Sequence, residues 1–119
     1  MKLLTKDIRE RLLSNGRRRM EAQEHDRDEP DFFPVVKLFT PDAGCTWLLT
    51  ELDPEEPDIA FGLCDLGLGF PELGYVRISE LEAVRGKLNL PVERDRFFEA
   101  DKPLSAYATE ANLKRRILA

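Results

Sequence analysis

The stretch PVVKLFTPDAGCTWLLTELDPEEPDIAFGLCDLG, residues 34–67, decides the fold. Its apolar runs, Val35–Thr40, Thr46–Leu52 and Ile59–Cys64, are built from the β-branched and aromatic residues that suit a pleated backbone, with leucines between them. The first break, Pro41-Asp42-Ala43-Gly44, is a turn with a mechanism: proline presets φ, aspartate bonds to the backbone ahead, and glycine supplies positive φ. The second is Asp53-Pro54-Glu55-Glu56-Pro57. Short runs joined by such tight connections predict an antiparallel meander. If the second hairpin closes symmetrically, the numbers of opposed residues sum to about 109, a register good to about two residues. Trp47 then faces Gly62, which leaves room for the indole, and Cys45 faces Cys64.

Downstream, Gly67-Leu68-Gly69-Phe70-Pro71 ends the third strand, and Leu73–Ile78 reads as a fourth. Ser79-Glu80-Leu81-Glu82 has the spacing of a capping box, so a short helix follows and ends near Gly86. Val92–Phe98 is a charged fifth strand suited to an edge. Pro103 opens a last helix in which Leu104, Tyr107, Ala108 and Ala111 share a face. Upstream, Thr5 is an N-cap, Ile8, Leu12 and Leu13 form an apolar stripe, and Asn15-Gly16 is a helix stop. Residues 17–33 are polar without a period and read as a linker or loop. The expected fold is α+β: an antiparallel meander of four to five strands, with an N-terminal helix, a short helix after strand four and a C-terminal helix, packed mainly on one face. It forms a single domain over 1–119, with 112–119 a basic tail that frays.

Charge is distributed unevenly. The net charge of −5 divides into +5 over residues 1–19, −12 over 20–72 and +2 over 73–119. A general nucleic-acid binder is expected to be basic over its main surface, and this chain is acidic across its centre. No run approaches the roughly 20 apolar residues needed to span a bilayer, and charges interrupt MKLLTKDIRERLL where a signal peptide needs an apolar core. A cytoplasmic location, with no membrane association, is expected.

The segments LLTKDIRERLLSNG, VVKLFTPDA, TWLLTELDP, AFGLCDLG, PELGYVRISEL, LPVERD and PLSAYA together span most of residues 3–108. In these segments the sequence resembles a family of small uncharacterised proteins, a domain of unknown function, encoded on proteobacterial conjugative plasmids and integrative elements. The resemblance implies no reaction, cofactor or functional residue. It implies a context, in which accessory proteins help a mobile element transfer or evade host defence.

The residues offer no catalytic or metal constellation, and no cofactor is expected. Two cysteines without a CxxC pair and a single histidine, His25, argue against a zinc site. Gly67-x-Gly69 lacks the following helix that a phosphate loop requires. The densest acidic group is Glu51, Asp53, Glu55, Glu56 and Asp58 around one hairpin loop, without calcium-loop spacing. Its ordinary reading is a solvated rim. Its functional reading is a contact surface for a protein partner, with carboxylates standing where phosphates would meet a host nucleic-acid-binding protein. Phe32-Phe33, just ahead of the sheet, is the candidate apolar anchor of that interface. The alternative is a nucleic-acid-binding module using Arg17, Arg18 and Arg19 with Lys114, Arg115 and Arg116, which needs the two ends of the chain to converge.

Overall fold

In the computed structural model, residues 3–119 are described. The elements run α1 (Lys6–Glu24), β1 (Val36–Phe39), β2 (Thr46–Leu52), β3 (Ile59–Asp65), β4 (Glu72–Arg77), α2 (Ile78–Ala83), β5 (Glu93–Arg94) and α3 (Leu104–Lys114). The fold is α+β, and its five strands form one antiparallel sheet in the order β4-β3-β2-β1-β5. The meander supplies four neighbours in sequence, and β5 returns beside β1 as an edge of only two residues.

The adjacent leucines of β2 show how the layers form. Trp47 and Leu49 join Leu12 of α1 and Ile78 and Leu81 of α2 in one apolar cluster. Leu48 joins Leu63 and the Leu104, Tyr107, Ala108 and Ala111 face of α3 in another. Successive side chains on a strand point to opposite faces, so the sheet lies between two layers, α1 and α2 below and α3 above. This is why nearly every side chain of β2 is buried, and why its sequence is apolar on both faces.

Helix α1 does not stop at Asn15-Gly16; it continues to Glu24, with His25 as C-cap and Asp26 in the left-handed region. Thr5 does cap its start, accepting from the Ile8 N–H at 3.2 Å. Gly16 serves packing rather than termination. A Cβ there would stand 1.9 Å from the Leu52 carbonyl oxygen, so only glycine lets α1 approach β2 this closely. Asn15 marks the same contact, its side-chain amide donating to the Thr50 carbonyl at 2.9 Å. The polar segment after Gly16 is therefore helical over its first half.

The β2–β3 register differs from symmetric closure by two residues: Trp47 lies opposite Cys64, and Leu49 opposite Gly62. A bulge between Leu49 and Glu51 shifts the ladder, as local turn residues could not foretell. Gly62 is required by backbone instead of by the indole, since a Cβ would meet the Leu48 carbonyl oxygen at 2.0 Å. Cys45 and Cys64 are thus out of register and remain free thiols. Ser79 is no N-cap either. It lies inside α2, whose first turn is closed by Asp58 from the β2–β3 loop.

Candidate functional site

Internal partners neutralise much of the acidic hairpin loop. Glu51 is buried, and both its carboxylate oxygens accept from Arg19 Nε at 2.7 Å. Burial pushes the Glu51 carboxyl above its usual range, against the pull of Arg19. Arg19 also pairs with Glu29 at 3.1 Å, and its guanidinium lies over the rings of Phe32 and Phe61. Although burial opposes its charge, the contacts with Glu51 and Glu29 hold the Arg19 pKa above its ordinary value. Glu56 pairs with Arg77 at 3.0 Å. Asp58 accepts from the Ser79 N–H at 2.9 Å and the Ser79 hydroxyl at 2.6 Å, and these bonds hold its pKa below the ordinary value. Asp53 accepts from the Glu55 N–H within the loop. Glu55 is left as an exposed carboxylate with no ion-pair partner among the described residues.

Other candidates are scattered. Phe32 is core, stacked under Arg18 and Arg19, and so cannot anchor an external partner; Phe33 beside it is exposed. Arg17 and Arg18 are exposed, whereas Arg19 is committed to Glu51. Arg19 sits at the Glu51 end of β2, while Arg115 and Arg116 line a groove with Thr46 at its start. At about 3.3 Å per residue those ends are roughly 17 Å apart. Arg19 and the Arg115–Arg116 pair therefore lie toward opposite ends of β2.

Two features escaped sequence reasoning. The first is that groove, about 1040 Å³, walled by β1, the Glu93–Phe97 segment and the chain's C-terminal residues. Asp65 fixes its floor, accepting from the Gly67 N–H at 2.8 Å and the Ile117 N–H at 3.0 Å. Lys37 is paired with Asp95 at 3.5 Å. Arg96, Arg115 and Arg116 have no ion-pair partner among the described residues, and Phe97 beside them is 93% exposed.

The second is the β3–β4 hairpin. Gly67 and Gly69, both at positive φ, turn the chain, and Leu66, Leu68 and Phe70 project from that turn into solvent. Strand β4 continues the exposed series with Leu73 and Tyr75, the latter 72% exposed although its ring lies 5.0 Å from that of Phe61. Helix α3 covers Leu63 and packs with Phe61 without reaching far enough to cover β4. The run Leu73–Ile78 was legible as a strand; that no described residue covers Leu73 and Tyr75 was not.

Among the described residues no group of three His, Cys, Asp or Glu side chains could hold a metal ion, and no helix is long and apolar enough to cross a membrane. Burial, then the Glu72 charge, pushes the Cys64 thiol up to about 11, the opposite of what a nucleophile needs.

Comparison with known proteins agrees with the breadth of the resemblance. A family model described as a protein of unknown function, DUF2958, matches residues 3–118, and the chain belongs to that family. No curated protein and no solved structure matches it.

Proposed function

We propose that the chain is a binding domain and not an enzyme, that its partner is a protein, and that it acts as an accessory of a mobile genetic element in evasion of host defence. The observation that carries the binding reading is the hairpin: Leu66, Leu68, Phe70, Leu73 and Tyr75 are all exposed within ten residues of chain at an open sheet edge. Single exposed apolar residues are ordinary, but a contiguous patch beside polar surface marks an interface. Each such side chain contributes about 1.5–3 kcal/mol when fully buried, enough for the group to anchor a partner. Strand β4 runs from this patch to the acidic loop, where Arg77 meets Glu56 and Asp58. Apolar tip and acidic rim therefore flank one side of the molecule, with Asp53 and Glu55 steering and the hairpin holding. The mobile-element setting is supported by the sequence resemblance alone.

The test is capture of the partner by the wild-type chain, by Leu68→Asp/Phe70→Asp, and by Glu55→Lys, with and without nuclease. Capture that survives nuclease and is lost in the hairpin variant supports the proposal. Capture indifferent to both sets of substitutions overturns it.

A second reading has its own observation. Arg96, Arg115 and Arg116 around an open groove with Phe97 exposed beside them are the cations and stacking ring that a single nucleic-acid strand uses. Recovery of nucleic acid, lost in Arg115→Glu/Arg116→Glu and in Phe97→Ala, favours it.

A further inference from the structure

We infer that β4 is a self-pairing edge, and that two copies of this chain join there, antiparallel, into one continuous ten-stranded sheet. The inference rests on the reading of this side as a contact surface and names its first occupant.

The phase of the ladder comes first. The Ile78 N–H donates to the Asp58 carbonyl at 2.8 Å, which makes Asp58 and Ile78 a hydrogen-bonded pair in the β3–β4 register. Antiparallel ladders alternate, so Val76, Gly74 and Glu72 turn their backbone groups toward β3. Leu73, Tyr75 and Arg77 then present N–H and C=O groups outward along the free edge. Edges are usually blunted by a bulge, a lysine, an internal proline or brevity. Strand β4 has none of these: its pairing with β3 is unbroken from Cys64↔Glu72 to Ile59↔Arg77. The opposite edge, β5, is two residues long and offers no such template.

Self-complementarity selects a second copy as the occupant. A two-fold axis through Gly74 sets Leu73 opposite Tyr75 of the other chain, and Tyr75 opposite its Leu73. These are the residues with free backbone groups, so each pair exchanges two hydrogen bonds. On the same face, both exposed apolar side chains gain a cross-strand apolar neighbour. Gly74 lies on the axis, where a Cβ would have nothing within 4 Å, so no side chain holds the backbones apart. An axis through Tyr75 would instead set Leu73 against Arg77, whose guanidinium is held by Glu56 and Asp58. Phe70, just before the strand, then runs beside the start of α2 in the other copy.

The experiment uses purified protein, so its failure leaves the partner-capture test untouched. Sedimentation velocity from about 1 µM to about 500 µM is expected to show the mass rising from 13.7 kDa toward twice that value. In the same range, hydrogen exchange at the Leu73, Tyr75 and Arg77 amides should slow by about tenfold or more. Leu73→Lys/Tyr75→Lys should stay monomeric with an unchanged circular dichroism spectrum. A monomer at every concentration overturns the inference, as does a dimer in which those amides stay unprotected or which the lysine pair leaves intact. If the lysine variant does not fold, wild-type exchange still decides.

Discussion

Replacing Gly16 with alanine tests the packing of the longest helix in a single methyl group. On an exposed helix face, alanine in place of glycine stabilises by about 1 kcal/mol. At Gly16 the added carbon would lie 1.9 Å from the Leu52 carbonyl oxygen and 3.1 Å from Leu52 C and from Pro54 Cδ. A carbon–oxygen contact closes comfortably at about 3.3 Å, so α1 must retreat from β2 by more than about 1 Å. The obstacle is backbone and cannot rotate away. Overpacking a core by one methyl costs about 1–3 kcal/mol, and a rigid obstacle puts this case at the upper end. After the gain in helix propensity, the net loss is about 2 kcal/mol, a fall in Tm of about 8 °C for a chain of this size.

The assay is thermal and urea unfolding followed by circular dichroism, with Ser14→Ala as the control. Ser14 is exposed on the same helix, so its substitution should leave stability equal or slightly higher. A Gly16→Ala protein as stable as wild type, or more so, would refute the close approach of α1 to the sheet. A variant as destabilised as expected, beside an undamaged Ser14→Ala, upholds it.

Other expectations concern titration and reactivity. Burial raises the Glu51 pKa, so this carboxyl's contribution to stability is present at low pH and is lost as pH rises through its folded value. The stability of wild type relative to Glu51→Gln should therefore decline as pH rises from about 4, the ordinary carboxylate value, through the raised folded value. Asp58, lowered by its bonds to Ser79, has the opposite sign: its contribution relative to Asp58→Asn is full above the ordinary aspartate value and should be lost as pH falls below about 4. Chemical denaturation of the three proteins on both sides of about pH 4 checks both slopes. With its thiol near 11, Cys64 should react with a disulfide reagent at pH 8 about a hundredfold more slowly in the native than in the unfolded protein. Asp42 Oδ2 accepts from the Leu88 N–H at 2.6 Å and the Leu90 N–H at 3.3 Å, so Asp42→Ala should cost about 1–3 kcal/mol and expose the 86–90 loop to proteolysis.

What the sequence disclosed and what it concealed divide along a physical line. Strands β1 to β4 were legible within a residue or two because alternation and turn chemistry are local. The role of Gly16 was not, since a stopping glycine and a packing glycine look alike until the backbone across the gap is in place. Ser79 and Glu82 have capping-box spacing, yet the cap comes from Asp58, twenty-one residues upstream. The acidic excess between residues 20 and 72 is a property of composition, and composition does not contain the pairing of Glu51 with Arg19 or of Glu56 with Arg77. The groove at Arg96 and Arg115 and the bare outer side of β4 are products of assembly. No window of a few residues contains either.

The bond between Asp58 and Ser79 also gives the molecule an internal gauge. Helix α2 has six residues and no cap from its own side chains, so its first turn endures only while the β2–β3 loop stays in place. Loop and helix should then open together as one sub-global unit. Anything that grips the loop will be recorded as slower exchange at the Ser79 amide, and anything that pulls it away as faster. Occupancy of one surface could be followed from a helix that the occupant never touches.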